Sequence, residues 1–507
     1  MKFTNHAIMV ALASALTTPA LVIADDDKKH DFGMKVERML RDKSEKLFGV
    51  KKPLKSSAEG TVVREPGQRA RDLVKLAGGL RATILTRDAG NKADMFSFWP
   101  EEEYPSHAIF CIEGGDEVIG QFPNGRDKLN PSVQAIDLYT GSVTTLLRGM
   151  NRCDGIRTTP WGTVLATEET GNGQAYEIID PLNFENHTVT DRETGTIVDM
   201  DGNSSDMVVK RDALPTMAWE GLTVLDSGVV IGGDELRPGD WDLMGDGGDD
   251  PDVDGGAIFK FVPEVPASGS VISHLSQSPL VAGAVYAFRA SCREGTSSSF
   301  NVNYGQGCEI GNGSWIEVEA SNARRDANNF GATGYYRPED LHKDPTYTGE
   351  GVRFCWANTG REAAQNYGEV ICGIDSDPLL ADETQASVVV NRFIEGDTDF
   401  NSLDNLAFQP ITGNLYVIED HDNGDIFACL PDGGDRDIKS DGCVKILSVK
   451  DQSAEPTGFE FTADGRMAIV AVQHSDEDFM PEYDDYPTDD ILVITGFKVK
   501  KTDKYDD

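Results

Sequence analysis

Asp154-Gly155-Ile156-Arg157-Thr158-Thr159-Pro160-Trp161-Gly162-Thr163-Val164-Leu165-Ala166-Thr167-Glu168-Glu169 carries the pattern on which the reading of this chain turns. An acid leads, a turn glycine follows, an apolar strand comes next, and acids close the unit. The form returns four times. Glu220 precedes Ser227-Gly228, an apolar run at 229–233 and Asp234-Glu235. Glu339 precedes Glu350-Gly351, a run at 352–357 and Asn358-Thr359. Asp404 precedes Thr412-Gly413, a run at 414–418 and Glu419-Asp420. Glu455 precedes Asp464-Gly465, a run at 466–472 and Gln473-His474. The turn glycines lie 66, 123, 62 and 52 residues apart, the second interval spanning about two of the others.

Repeats of this size built on hairpins predict an all-β chain folded as a β-propeller. Five units, with either the long interval or strands around Ala108 to Ile112 as the sixth, make about six blades. Glycine suits the turns because tight hairpins need positive φ. Each blade's innermost strand lines the central channel, so a residue recurring at one place returns around one axis. Asp154, Glu220, Glu339, Asp404 and Glu455 are therefore expected to form a ring of carboxylates. Unpaired, such like charges repel and raise each other's pKa; bound cations remove that penalty. A single acid beside a turn more often caps it or faces water, but a shared register argues for a common task.

The flanks read differently. Lys2, the apolar stretch from Ile8 to Leu21 and Val22-Ile23-Ala24 read as an export signal over residues 1–24. Residues 25–75 read as an N-terminal extension in which Phe32, Val36, Leu40 and Leu47 suit one amphipathic helix. The propeller is expected over 76–500 and a charged tail over 501–507. No later apolar run reaches the roughly 18 residues of a membrane span. Lys+Arg number 46 against 86 Asp+Glu, a net charge of −40, which repels nucleic acid and anionic membranes and attracts divalent cations. A soluble, exported monomer is expected, in the periplasm or outside the cell. Eight cysteines in an exported chain suggest disulfides. Cys292 with Cys308, Cys355 with Cys372, and Cys429 with Cys443 would close short loops; Cys111 and Cys153 either pair or leave Cys153 as a metal-binding thiolate.

Asp250, Asp252 and Asp254 alternate before Gly255 like the oxygen ligands of a calcium loop, but position twelve is Phe261 instead of Glu. The acids between Asp476 and Asp490 read as a hydrated face or insertion. His474 reads as a strand-end histidine before a ligand. Arg157 and Lys260 are secondary anion-binding candidates, and Trp161, Trp219 and Trp356 fit blade packing. No phosphate-cradling glycine loop, Gly-x-Ser-x-Gly elbow or His-Glu-x-x-His motif is present, which removes several hydrolase classes.

From Cys111 to His474 the chain resembles the PhoX-type alkaline phosphatases, secreted β-propeller phosphomonoesterases that use calcium and iron. The likeness rests on Thr159-Pro160-Trp161-Gly162-Thr163 with Glu168-Glu169, Gly233-Asp234-Glu235 with Phe259-Lys260-Phe261-Val262, Arg337-Pro338-Glu339, Asp404-Asn405, Glu455-Pro456-Thr457-Gly458 and Gln473-His474. The resemblance implies that Glu169, Glu220, Glu235, Glu339, Asp404 and Glu455 bind metal and that Arg337 holds the substrate phosphate. Hard oxygen ligands suit Ca²⁺ and Fe³⁺, adjacent metals can clamp an in-line phosphoryl transfer, and a guanidinium grips phosphate in bidentate fashion. Two departures bear on iron. The stretch from Asn151 to Thr158, where the family carries its cysteine ligand, looks one residue longer and poorer in glycine. A twin arginine is also missing near Lys2. The function expected is a secreted metal-dependent phosphatase acting on phosphate esters. The alternatives are a calcium-dependent propeller hydrolase such as a lactonase, or a non-catalytic calcium-stabilised binding protein.

Overall fold

A computed structural model describes residues 32–242, 245, 247–250, 253–290, 310–381, 387–431, 442–473 and 480–499. Six hairpin-built blades stand around one axis. Blade 1 runs outward as Ala93–Trp99, His107–Ile112, Pro131–Asp137 and Val143–Arg148, and blade 2 as Cys153–Thr158, Thr163–Glu168, Ala175–Ile179 and Val208–Lys210. Blade 3 holds Trp219–Val224, Val230–Asp234, Ile258–Pro263 and Gly283–Ala290, and blade 4 holds Pro338–Lys343, Val352–Asn358, Glu369–Asp375 and Val388–Glu395. Blade 5 holds Leu403–Phe408, Leu415–Glu419, Asp425–Cys429 and Cys443–Val449. Blade 6 holds Glu455–Phe461, Met467–Gln473 and Thr488–Thr495. The first strand of each blade is innermost, and each touches the next from blade 1 to blade 6 and back to blade 1.

The ring closes through the N-terminal segment. Arg81–Gly90 pairs with Thr488–Thr495 as the outer strand of blade 6, and Val74–Leu76 pairs with Cys443–Val449 on blade 5. Blade strands are apolar on both faces because each sheet is covered on both sides. Phe96, Phe110 and Ile491 pack between blades 1 and 6, Ile109, Val133 and Ile156 between blades 1 and 2, and Trp161, Trp219 and Phe259 between blades 2 and 3. Similar clusters fill the remaining interfaces. The three tryptophans expected in packing are buried there.

One open alternative is decided and two expectations change. Among the described residues the 123-residue interval holds no further blade: an added strand, Gly311–Val318, follows Gly283–Ala290 and joins the outer edge of blade 4, so blades 3 and 4 share one nine-stranded sheet. The sixth unit is blade 1, around Ala108 to Ile112. The single N-terminal helix is two, Phe32–Asp42 and Ser44–Leu47, with Leu40, Phe48 and Val50 buried against blades 5 and 6. The acids near residue 484 are only in part the expected hydrated face: Glu482, Asp484 and Asp485 are exposed, whereas Asp489 and Asp490 are buried. Asp484 binds Lys128 and Arg148, and Asp490 is fully buried with Arg64 and Arg87 at 2.9 and 2.7 Å. Among the described residues no helix is long and apolar enough to cross a membrane. Residues 1–24 and 501–507, Cys292, Cys308, Asp252, His474 and 476–478 lie outside the described residues.

Candidate metal centre

Every inner strand carries the same irregularity. Two of its residues face one on the neighbouring strand, between Ala93 and Phe96, Cys153 and Ile156, Trp219 and Leu222, Pro338 and Leu341, Leu403 and Leu406, and Thr457 and Glu460. Such bulges re-aim side chains. The first residue of each bulge is Asp94, Asp154, Glu220, Glu339, Asp404 and, in blade 6, Gly458. Five acids thus converge on the axis, all buried. Blade 6 breaks the register: Glu455 stands three residues before its bulge, so it is not the fifth member of the ring the repeat implied. It remains buried, its pKa pushed well up by burial and by Asp420, Asp94 and Glu113.

A second tier stands where the second strand of a blade ends. Glu113, Glu169, Glu235 and Asp420 occupy this place in blades 1, 2, 3 and 5, and Thr359 in blade 4. The two tiers make three groups whose ligand oxygens lie within 4.8 Å of one another: Asp94–Glu113–Asp154, Asp154–Glu169–Glu220, and Glu220–Glu339–Asp404. Asp154 and Glu220 each belong to two groups. The centre is therefore a continuous row of carboxylates across five blades.

The electrostatics follow from this crowding. Burial first, then neighbouring carboxylates, push the pKa values of Asp94, Asp154, Glu169, Glu220 and Asp404 well above the usual range. Glu339 is raised mainly by burial, although Arg337 opposes it. Glu235 is the exception: Arg337 and a hydrogen bond from Glu169 overcome burial and hold it low. Arg337 binds Glu235, reaches Glu339 at 2.8 Å, and places Nη1 2.9 Å from Asp420. Its guanidinium is held charged, its pKa raised by these acids against burial. Arg152, not singled out from the sequence, does the same in blade 2: Nε donates to Glu113 at 2.9 Å and Nη2 lies 2.8 Å from Glu169.

Several expected residues stand elsewhere. Cys153 is disulfide-bonded to Cys111, so it offers no thiolate, and the neighbouring Asp154 takes the axial place. Lys260 is buried between blades 3 and 4, with Nζ donating to Asp375 at 2.8 Å and to the Leu380 carbonyl at 2.7 Å; it does not reach the mouth. Arg157 lies deeper along its strand, bound to Asp340 at 2.9 Å and His342 at 2.7 Å, and its charge is spent on that layer. Asp250 and Asp254 belong to a separate loop outside the three groups, where the Asp254 amide donates to Asn328. Cys355–Cys372 and Cys429–Cys443 form as expected. Asp94 and Glu113 escaped the sequence reading because Gly is absent from the turn between their strands; an acid, a strand pair and a second acid was the available signal.

The donor set fits hard cations. Asp94 Oδ1 and Asp154 Oδ1 are buried with no hydrogen-bond partner, an arrangement that costs free energy unless a cation completes it. All donors in the three groups are carboxylate oxygens, the chemistry of a calcium site. Thiolate-held iron does not fit, because Cys153, the cysteine adjoining Asp154, is disulfide-bonded to Cys111.

The family model described as alkaline phosphatase PhoX matches residues 141–476. No curated protein matches the chain. Among solved structures, Pseudomonas fluorescens PhoX in complex with vanadate, a transition state analogue, is 16% identical, covers 87% of this chain and 98% of its own, and gives a TM-score of 0.54. A gluconolactonase from Xanthomonas campestris is 11% identical over 87% of this chain and 96% of its own, with a TM-score of 0.41. The family match spans well over half the sequence, and the chain belongs to the PhoX family of alkaline phosphatases.

Proposed function

We propose that this protein is an exported phosphatase that hydrolyses phosphate esters at a calcium-loaded carboxylate row in the mouth of the propeller. The observation that carries the reading is the row itself: three acid groups sharing Asp154 and Glu220, with Arg337 at their edge. A lactonase-like centre with one cation would need only one such group. Bound there, closely spaced hard cations supply charge neutralisation and Lewis-acid polarisation at the phosphoryl oxygens. Asp94, Glu113, Asp154, Glu169, Glu220, Glu339 and Asp404 would hold them.

The remaining work falls to the chain. Arg337 keeps its charge at any working pH and is held in place by three carboxylates, so its fork is oriented before substrate arrives. Nη2 makes no hydrogen bond among the described residues and is the atom expected to meet a phosphate oxygen as charge builds in the transition state. The Thr359 hydroxyl donates to Glu339 and fixes that carboxylate's orientation. Burial of the acids removes competing water. Disulfides in blades 4 and 5 and between blades 1 and 2 support an oxidising compartment.

Metal analysis of natively purified protein, beside turnover of an aryl phosphate, tests this. Several calcium ions per chain and turnover that vanadate inhibits are expected. Arg337→Ala should lower kcat by about a hundredfold or more, the scale of a lost transition-state donor, while calcium stays bound. Turnover at the wild-type rate in that variant refutes the assignment.

A further inference from the structure

The position two residues before each bulge acid is where the chain enters the inner strand. It is occupied by Lys92, Arg152, Ala218, Arg337 and Ser402 in blades 1 to 5. Its main chain is equivalent in all five blades: the carbonyl accepts from the amide of Glu113, Glu169, Glu235, Thr359 and Asp420, respectively, at 2.7 to 3.1 Å. In four of them the residue takes a left-handed φ, 64° at Lys92, 59° at Arg152, 63° at Arg337 and 52° at Ser402, a region non-glycine residues seldom enter. Three cations at one register is a marked excess in a chain with 46 basic residues against 86 acidic.

Arg152 and Arg337 lie against the carboxylates at the row, and Lys92 holds the same backbone position beside Asp94 and Glu113. Arg152 and Arg337 flank the row's middle group and are linked through it. Arg152 lies against Glu169, Glu169 hydrogen-bonds Glu235, and Glu235 binds Arg337. Each guanidinium spends Nε and one amino group on carboxylates. Arg152 Nη1 and Arg337 Nη2 make no hydrogen bond among the described residues. The Arg152 side chain is 47% exposed and the Arg337 side chain 17%, so Arg152 is the outer of the two. The Lys92 side chain makes no hydrogen bond or ion pair among the described residues, its carbonyl alone accepting from the Glu113 amide.

We propose that Lys92 and Arg152 complete, with Arg337, a cationic crown that binds the phosphate oxyanion from three blades. The inference rests on the phosphatase reading and adds two binding residues to it. Its physical need is plain. A dianion approaching a chain of net charge −40 is repelled, and fixed guanidinium donors at the rim reverse the local sign where the substrate enters. Because Arg152 is the outer residue, it stabilises bound substrate and transition state alike, so its loss is read in KM more than in kcat.

The test titrates inorganic phosphate into the full chain in calcium by calorimetry and measures KM and kcat for an aryl phosphate in parallel. Arg152→Ala is expected to weaken phosphate binding and raise KM by about tenfold or more, as for a lost charge-assisted hydrogen bond. Lys92→Met should do so by several-fold. Arg152→Lys should recover part of the loss, since it keeps the charge but not the fork. Calcium stoichiometry and melting temperature should hold in all three. Wild-type phosphate affinity in Arg152→Ala and Lys92→Met overturns the crown, and so does a loss confined to calcium binding or thermal stability, which is what counter-ions to Glu113 and Glu169 alone would give. Absence of aryl phosphate turnover in the wild type, with phosphate still bound through these residues, would instead remove the catalytic reading and leave the crown.

Discussion

Cys153 and Asp154 are adjacent and have opposite fates. Successive strand residues point to opposite faces, so one joins the core with Cys111 and the other reaches the axis. The same parity splits the acidic doublets. Glu168 turns away from the mouth to Arg192, Asp234 to Arg324 and Glu419 to His421, whereas Glu169, Glu235 and Asp420 face inward. Glycine sets how closely the inner strands approach. A Cβ on Gly221 would lie 2.0 Å from the Leu341 amide nitrogen and 2.2 Å from Asp340 Cα, and one on Gly155 would lie 2.0 Å from the Glu220 carbonyl oxygen. Gly221→Ala is therefore expected to cost about 1–3 kcal/mol, as overpacking does, and to weaken calcium binding by pushing Glu220 and Glu339 apart. Thermal melts and calcium titration check it; unchanged values in both would mean the strands can part freely. The acid–glycine–strand pattern was legible at this scale, but which member of a doublet faces the axis was not, because parity depends on where each bulge falls.

At the scale of elements, the bulge places the acids, and the disulfide from His107–Ile112 to Cys153–Thr158 fastens two blades beside it. That cross-link closes a loop of 42 residues, worth roughly 4 kcal/mol in the chain-entropy account. The double variant Cys111→Ala with Cys153→Ala should melt lower yet keep wild-type metal content and turnover, because the sulfur holds a blade and not an ion. Loss of a bound metal in that variant, at a temperature where it is folded, would restore Cys153 as a ligand. Glu455 marks the limit of reading elements from spacing alone. Its repeat looked equivalent, yet Gly458 fills the bulge and packs its α-carbon against blade 1, where a Cβ would come 2.3 Å from the Asp94 carbonyl oxygen.

The whole molecule is a closed ring whose centre concentrates charge of one sign. Blade-to-blade packing is apolar and independent of pH, whereas the acid row is not. For Asp94, Asp154, Glu220, Glu339 and Asp404 the folded pKa lies above the unfolded one. The folded state therefore binds more protons between those values, and stability must fall as pH rises through them. In chelator, the melting temperature should drop steadily as pH is raised from about 5, the edge of the ordinary carboxylate range. Calcium should reverse that slope, stabilise more at high pH than at low, and release protons on binding. A chelated protein whose stability is flat or rises with pH would contradict the row.

The sequence by itself determined the repeat, the propeller and the residues able to meet at its mouth, because strand alternation and turn glycines are local and leave their period in the chain. It also marked Arg337, through the motif around it. Only the tertiary structure decided that blade 1 contributes Asp94 and Glu113, that Cys153 is bonded and Lys260 buried, and that Lys92 and Arg152 share the register of Arg337. Those outcomes depend on which strands become neighbours and where each bulge falls, and contacts between residues tens to hundreds of positions apart leave no local trace.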